Sequence, residues 1–146
     1  MKIIKYFSVA LAVILFSTSI SPAQQDAMFF RAAGSPPNPK VQASWNKYYT
    51  NAGIADLCSR LAKAYPNLVT MESIGKSYQG RDIIVLTVSD KKAGNPDLKP
   101  GFWIDGNIHS IELQGTEMAL YTAWYLCEMY ATNNFIRELL AEKTFY

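Results

Sequence analysis

The segment Gly101–Glu117, GFWIDGNIHSIELQGTE, constrains the fold of this chain more than any other. A short apolar run, FWI, ends in the turn-forming letters DGN, and the only histidine of the protein, His109, follows shortly after. Glu112 comes three residues later, ahead of a long helix-like apolar pattern. Open α/β sheets hold ligands at the ends of buried strands, and imidazole nitrogen and carboxylate oxygen are two of the ligand types that zinc takes. The segment therefore predicts an α/β fold that presents His109 and Glu112 to one cation.

The spacing of His109 and Glu112 also has a structural interpretation. A histidine and a glutamate three residues apart can arise by chance in a chain of this composition. A lone histidine after a strand is more often a hydrogen-bonded structural residue than a metal ligand. The metal site is favoured by the sequence around the pair rather than by the spacing alone.

Residues 1–23 have the features of a secretory signal peptide. Lys2 and Lys5 give a basic start, residues 7–16 (FSVALAVILF) give an apolar core, and the small residues Ser21 and Ala23 suit cleavage after Ala23. The apolar core is too short to span roughly 30 Å of hydrocarbon comfortably, and no cysteine that could carry a lipid follows it closely. We therefore expect an exported protein, secreted or periplasmic, without a stable membrane anchor.

Charge and cysteine content narrow the choice of partners. Removal of residues 1–23 leaves 12 basic and 12 acidic residues, without a dense basic patch, which argues against nucleic acid as a partner. Cys58 and Cys127 could pair in an exported protein. Both fall on predicted helices among apolar neighbours, where free cysteine behaves as a small buried hydrophobe. The pattern favours unpaired thiols and leaves pairing open.

The rest of the pattern predicts a lead-in followed by helices and strands. Residues 24–46 contain three prolines without a steady period and predict a poorly ordered lead-in. Predicted helices cover residues 50–65, 114–129 and 135–142, and predicted strands cover 68–73, 81–89 and 102–107, the last apolar enough to be central in the sheet. Residues 143–146 look like the start of another strand. We therefore expect residues 47–146 to form the N-terminal portion of a truncated domain.

The chain resembles the M14 zinc carboxypeptidases over Thr50–Tyr146. Residues 65–83, YPNLVTMESIGKSYQGRDI, are similar to the family's first strand and its "IGxSxxGR" hairpin, and residues 83–90, IIVLTVSD, to its second strand. Residues 101–120, GFWIDGNIHSIELQGTEMAL, are similar to the third strand, the zinc loop and the helix behind it. The resemblance implies the incomplete N-terminal part of a mixed-sheet, zinc-carboxypeptidase-like α/β/α fold. It also implies hydrolysis that releases C-terminal amino acids.

The same resemblance assigns His109 and Glu112 as two of three ligands to Zn²⁺. In the family, the third ligand is a histidine from a later strand, and the general-base glutamate and the substrate-binding arginines also lie further along the chain. No residue of this sequence maps onto them. Ile111 stands where well-known members carry an arginine, so one substrate-orienting cation is absent. The resemblance thus implies a metallocarboxypeptidase acting on peptide or protein C-termini, with the present portion inactive alone.

Several further positions have both a structural and a functional interpretation. Asp105 either accepts a hydrogen bond from the metal-binding imidazole or caps the loop. Glu117 is expected to be structural, because a carboxylate is favoured near a helix N-terminus. Arg81 is expected to order the hairpin rather than to bind substrate. Gly106 and Asn107 are expected to shape the loop that presents the histidine.

Two alternatives to a carboxypeptidase stay open on the sequence. Deacylases and amidases of the same fold use a similar His-x-x-Glu loop, and Ile111 counts slightly in their favour, whereas the hairpin sequence favours a peptidase. The other alternative is a non-catalytic secreted module that kept the fold, since one histidine and one nearby glutamate do not complete a three-ligand zinc site.

Overall fold

The computed structural model describes residues 34–146, so the signal peptide predicted for 1–23 and the first part of the predicted lead-in lie outside the described residues. Within this range the chain forms three α-helices, four strands and a short 3-10 helix at Pro96–Leu98. The helices are α1 (Asn51–Ala64), α2 (Gln114–Met129) and α3 (Asn134–Glu142). The strands are β1 (Val69–Lys76), β2 (Asp82–Val88), β3 (Gly101–Phe102) and β4 (Thr144–Phe145).

The strands form one mixed sheet in the order β1-β2-β4-β3. β1 and β2 make an antiparallel hairpin that pairs Val69 with Val88, and β4 runs antiparallel to β2 and parallel to β3. The parallel β3–β4 pair requires a crossover, which α2 and α3 supply. The prediction of an α/β fold with a mixed sheet is confirmed.

Helix α1 begins and ends where its sequence predicts. The side chain of Thr50 accepts a hydrogen bond from the backbone N–H of Gly53 at 3.2 Å, which satisfies one free donor of the first turn. Leu57 and Leu61 are fully buried on the inner face. The helix ends before Pro66, because the residue preceding a proline is disfavoured in the helical conformation. Burial of each of these leucines stabilises the fold by about 1.5–3 kcal/mol.

The core lies between the helices and the sheet. Trp124 of α2 is 1% exposed and belongs to a cluster of buried side chains that come from all three helices and from the β1/β2 hairpin, among other segments. The buried apolar side chains are Val41, Leu57, Cys58, Leu61, Leu68, Val69, Val88, Leu120, Trp124, Leu126, Cys127, Ile136 and Leu140. This core fixes α2 against β2, and the N-terminus of α2 carries the loop that contains His109.

Strand β3 is shorter and less central than its apolar sequence predicts. The expectation was a central strand over residues 102–107, but β3 covers Gly101–Phe102 and lies at the end of the described sheet. Its pairing continues only as far as Ile104, whose N–H donates to the carbonyl of Tyr146 at 2.8 Å. Trp103 is 61% exposed. The central position is occupied by β4, where Thr144 is fully buried, and an apolar run alone does not distinguish these two placements.

Residues 40–46, here called the strap, pack against α2. The Glu128 carboxylate accepts hydrogen bonds from the backbone N–H of Lys40 at 2.8 Å and of Val41 at 2.7 Å. The indole N–H of Trp124 donates to the carbonyl of Val41 at 2.6 Å, and the Val41 side chain is buried. These contacts attach residues 40–46 to α2, and the poorly ordered lead-in expected for residues 24–46 stays a prediction. The domain boundary placed at residue 47 stays a prediction.

None of the helices within residues 34–146 combines the length and the apolar character needed to cross a membrane.

Candidate metal centre

The loop between β3 and α2 is held by a close contact of two glycines. A Cβ on Gly106 would lie 2.3 Å from the carbonyl carbon of Gly115 and 2.4 Å from its oxygen. A Cβ on Gly115 would lie 3.0 Å from the backbone nitrogen of Asn107. Asn107 itself has φ 68°, a left-handed conformation that asparagine tolerates better than most residues. The start of the loop therefore packs directly against the first turn of α2. This contact is consistent with the expectation that Gly106 and Asn107 shape the loop.

The structure brings the two predicted ligands together at the far side of this loop. The Nδ1 atom of His109 lies 3.1 Å from the Oε2 atom of Glu112. The same oxygen accepts a hydrogen bond from the backbone N–H of His109 at 3.3 Å, and the backbone N–H of Glu112 donates to the carbonyl of His109 at 3.0 Å. Both side chains are more than half exposed, so they are accessible to a solute.

The spacing of the two donor atoms fits one zinc ion. Two atoms bound to the same tetrahedral zinc at the usual distances lie about 3.3–3.6 Å apart. The 3.1 Å separation of His109 Nδ1 and Glu112 Oε2 is only a few tenths of an ångström shorter. An imidazole nitrogen beside a carboxylate oxygen is a donor set that zinc accepts.

A groove of about 600 Å³ runs beside the pair. Tyr48, Ile108 and Ile111 contribute apolar surface, and Asp105 and Glu112 are its charged lining residues. Ile111 is 88% exposed and Ile108 81% exposed. The groove therefore has an aliphatic side chain at position 111, where well-known family members carry an arginine. The described wall of this groove is acidic and apolar.

The other predicted site residues separate into those near the pair and those away from it. Asp105 lines the same groove, but no hydrogen bond joins it to the His109 ring among residues 34–146. Glu117 faces the other way, and its carboxylate accepts a hydrogen bond from the backbone N–H of Tyr49 at 3.0 Å. This contact agrees with a structural role for Glu117.

Arg81 lies in the β1/β2 hairpin. Its backbone carbonyl accepts from the N–H of Ser77 at 2.8 Å, and its own N–H donates to the Ser77 hydroxyl at 3.2 Å. Lys76 closes the same turn through an ion pair of 2.6 Å with Asp82. The turn is thus ordered by the backbone of Arg81, and its guanidinium forms no hydrogen bond or ion pair within residues 34–146.

The cysteines do not supply further ligands. Cys58 and Cys127 are buried and free, in agreement with the prediction of unpaired thiols. Burial raises the pKa of the Cys58 thiol to about 11 and that of Cys127 to about 12. Because zinc binds the thiolate, these protonated thiols are poor ligands at neutral pH. Residues 34–146 contain no cluster of three histidine, cysteine, aspartate or glutamate side chains suited to a metal.

The sequence interpretation missed Gly115, which lies in the first turn of α2. A glycine at that place permits close approach of another backbone segment, and the contact with Gly106 identifies that segment. Tyr48 was also missed, since nothing in its local sequence places it beside a loop sixty residues away.

Comparison with known proteins identifies the family of the chain. A family model described as "Peptidase_M14: Zinc carboxypeptidase" matches residues 54–146. Carboxypeptidase Z of Rattus norvegicus is 36% identical over 77 residues, which are 53% of this chain and 11% of the relative. Carboxypeptidase D of Homo sapiens is 33% identical over 81 residues, 56% of this chain and 6% of the relative. A zinc carboxypeptidase of Saccharothrix mutabilis subsp. capreolus is 40% identical over 76 residues, 52% of this chain and 17% of the relative.

Solved structures show the same fold. The crystal structure of thrombin activatable fibrinolysis inhibitor superposes with a TM-score of 0.62 at 25% identity and covers 70% of this chain and 25% of that one. The carboxypeptidase A of Helicoverpa armigera superposes with a TM-score of 0.60 at 23% identity, over 84% of this chain and 29% of that one. The chain thus spans about a tenth of carboxypeptidase Z and about a quarter of these structures.

Proposed function

Because the chain belongs to the M14 zinc carboxypeptidase family, we propose that it carries two of the zinc ligands of a metallocarboxypeptidase, His109 and Glu112. The activity proposed for the whole protein is hydrolysis of the peptide bond next to a C-terminus. The observation that carries this proposal is the 3.1 Å approach of His109 Nδ1 to Glu112 Oε2 in an exposed loop at the end of β3.

The residues of this chain perform the positioning part of such a reaction. A zinc ion held by His109 and Glu112 would supply Lewis acidity and a bound water of lowered pKa. The Gly106–Gly115 contact fixes the start of the loop against α2, which limits the positions that the imidazole can take. Asp105 lines the same groove and is proposed to accept a hydrogen bond from the imidazole when the metal is bound, as commonly occurs for histidine ligands.

The remaining catalytic groups are proposed to come from outside these 146 residues. The sequence has one histidine, and the family resemblance implies a second histidine ligand and a glutamate general base. Catalytic zinc sites take three protein ligands. The 146-residue chain alone is therefore proposed to bind zinc weakly and to lack peptidase activity.

Peptide or protein C-termini are the proposed substrates. Family membership supports this substrate class. Ile111 offers aliphatic surface where well-known family members carry an arginine, and the charged residues of the groove are acidic, so recognition of the substrate carboxylate is proposed to come from other parts of the protein. An assay that compares C-terminal amino-acid release with hydrolysis of N-acyl amino acids separates a carboxypeptidase from a deacylase.

Export through a signal peptide is proposed from residues 1–23. The basic start, the apolar core and the Ser21 and Ala23 pattern support it. Mass spectrometry of the secreted or periplasmic protein is expected to find a mature N-terminus at Gln24, and recovery of the protein with Met1 retained would contradict the proposal.

Three substitutions test the zinc assignment in a protein that contains this segment and a complete catalytic domain. His109→Ala and Glu112→Ala each remove a direct ligand, so both are expected to abolish tight zinc binding and turnover. Asp105→Asn removes the negative charge of a side chain proposed to accept a hydrogen bond from His109. Loss of such a partner of a metal ligand typically costs about 10–100-fold in metal affinity or activity, so this variant is expected to be less impaired than the other two. Zinc content and turnover are measured for all three.

Far-UV circular dichroism of each variant serves as the control for folding. The pair is exposed and lies outside the buried core, so the spectra are expected to match the unsubstituted protein. Stoichiometric zinc together with normal turnover in His109→Ala would show that the assignment is wrong.

A further inference from the structure

Tyr48 reaches the metal loop from a segment that lies about sixty residues earlier in the chain. Its side chain lines the groove beside the proposed zinc ligands, together with Ile111 and Glu112. The side chain is 58% exposed and does not belong to the core. The mechanism described above gives it no role. Tyr48 is therefore an aromatic side chain at the proposed site that neither core packing nor metal binding explains.

The backbone that follows Tyr48 is attached to the helix that carries the metal loop. Glu117, in the first turn of α2, accepts a hydrogen bond from the N–H of Tyr49 at 3.0 Å. Gly115 of the same turn contacts Gly106 at the start of the metal loop. The segment at Tyr48 and the metal loop are therefore both fixed to one end of α2.

The backbone on both sides of Tyr48 is held by further hydrogen bonds. The hydroxyl of Tyr49 accepts from the N–H of Ser44 at 3.0 Å and donates to the Ser44 carbonyl at 2.9 Å. The side chain of Thr50 caps α1. A rigid backbone of this kind is what a side chain needs in order to hold a ligand in one position. The place of Tyr48 thus depends on contacts within residues 44–117, and not on how much of its surface is uncovered.

The chemistry of the groove indicates which part of a substrate it suits. Its large apolar and aromatic lining side chains are Tyr48, Ile108, Ile111 and Leu113. Its charged lining residues, Asp105 and Glu112, are both acidic. Proteins bind a carboxylate most strongly through arginine or lysine, and neither residue type lines the described groove. The C-terminal residue of a substrate is therefore expected to lie elsewhere, which leaves the groove for a residue before the scissile bond.

We propose that Tyr48 is a specificity-determining residue, whose ring packs against an apolar side chain of the substrate on the N-terminal side of the scissile bond. The inference rests on the metallocarboxypeptidase activity proposed above and adds a substrate class to it. A tyrosine ring supplies a large contact area at a low cost in conformational entropy. Substrates with an aromatic or aliphatic residue at this position are preferred over those with glycine, and an acidic residue is disfavoured by the charge of Asp105.

The test uses a protein that contains this segment and a complete catalytic domain. The substrates are peptides with one fixed C-terminal residue and with phenylalanine, leucine, glycine or glutamate at the first or the second position before the scissile bond. The measured quantity is kcat/KM for release of the C-terminal residue. In Tyr48→Ala, the ratio of the phenylalanine peptide to the glycine peptide is expected to fall about tenfold at one of the two positions, mainly through KM. Tyr48→Phe keeps the ring and is expected to keep the ratio.

Matched variants separate recognition from folding. Tyr78→Ala removes an exposed tyrosine of the β1/β2 turn that does not line the groove, and is expected to leave the ratio unchanged. Glu117→Ala removes the acceptor of the Tyr49 N–H, so it is expected to lower the same ratio as Tyr48→Ala does. Glu117→Gln retains an oxygen acceptor and is expected to restore the ratio.

Two kinds of result would contradict this account, and they differ in what they overturn. Normal release with an unchanged ratio in Tyr48→Ala would overturn this inference alone, whether or not the urea midpoint falls. So would equal kcat/KM for the phenylalanine and glycine peptides at both positions in the unsubstituted protein. No release from any peptide of the series by the unsubstituted protein would overturn the proposed function, and this inference with it.

Discussion

Substitution of Gly106 by alanine tests how the metal loop is held. The added Cβ would meet three backbone atoms of the first turn of α2, at 2.3 Å and 2.4 Å from Gly115 and 2.7 Å from Thr116. Favourable carbon–carbon contact begins at about 3.5 Å, so the loop and the helix must separate by about 1 Å. The obstacle is backbone, and no side-chain rotation relieves it. We expect a loss of about 3 kcal/mol, the upper part of the range for overpacking.

The measurement is urea unfolding followed by intrinsic tryptophan fluorescence, to which Trp124, 1% exposed in the folded chain, contributes. With a slope of about 2 kcal/mol/M, a loss of 3 kcal/mol lowers the midpoint by about 1.5 M. Gly115→Ala is expected to cost less, because its nearest contact, the backbone nitrogen of Asn107, lies at 3.0 Å rather than 2.3 Å.

Gly53→Ala is the matched control for these two substitutions. Gly53 lies in α1, and its Cβ would meet the ring of Tyr49 at 3.2 Å, a side-chain atom that can shift slightly. The expected order of destabilisation is therefore Gly106, then Gly115, then Gly53, with the last near zero or stabilising. A midpoint for Gly106→Ala equal to that of Gly53→Ala would refute the close contact as the element that holds the loop.

Three further predictions follow from contacts elsewhere in the chain. Glu128→Ala leaves two backbone N–H groups of the strap without their acceptor, and is expected to lower the free energy of unfolding by about 2–3 kcal/mol in urea. For the carboxyl of Asp90, burial acts to raise the pKa, but hydrogen bonds from Tyr130 and from backbone N–H groups outweigh it and leave the pKa lowered. Its stabilisation is therefore complete above about pH 5 and lost as the pH falls through about 4 and below, and Asp90→Asn should lose less stability between about pH 6 and about pH 3. Cys58 and Cys127, with pKa values raised by burial to about 11 and about 12, are expected to resist a thiol reagent at neutral pH in the folded chain and to react fully in urea, whereas rapid reaction of the folded chain would contradict their burial.

The helices were predictable because their signals are local. The predicted α2 range agrees with the structure, and Thr50, at the start of the predicted first helix, caps α1. Amphipathic spacing and capping residues lie within a few positions of each other. The hairpin was equally accessible, since the β1 and β2 sequences flank a glycine-containing turn, and their boundaries moved by only a few residues.

Long-range placement was harder to predict. The apolar letters of residues 102–104 indicate a strand, but not that β4 would take the central position beside β2. The strap depends on Glu128, which lies almost ninety residues from its backbone partners. The same limit applies to the site. The His109–Glu112 pair was predictable because the two residues are three positions apart in the sequence. The contributions of Tyr48 and Gly115 were not, because they depend on packing between distant segments.

The most direct test of the central claim observes the imidazole of His109 during addition of zinc. His109 is the only histidine of the sequence, so its side-chain nitrogen resonances in a ¹⁵N-labelled sample are unambiguous. The proposal predicts that zinc shifts the Nδ1 resonance with weak, saturable binding, and that Glu112→Gln weakens this binding about tenfold while Glu117→Gln does not. An Nδ1 resonance that does not shift when zinc is added, or zinc binding that is equally strong in Glu112→Gln, would contradict the assignment of this loop as a zinc site.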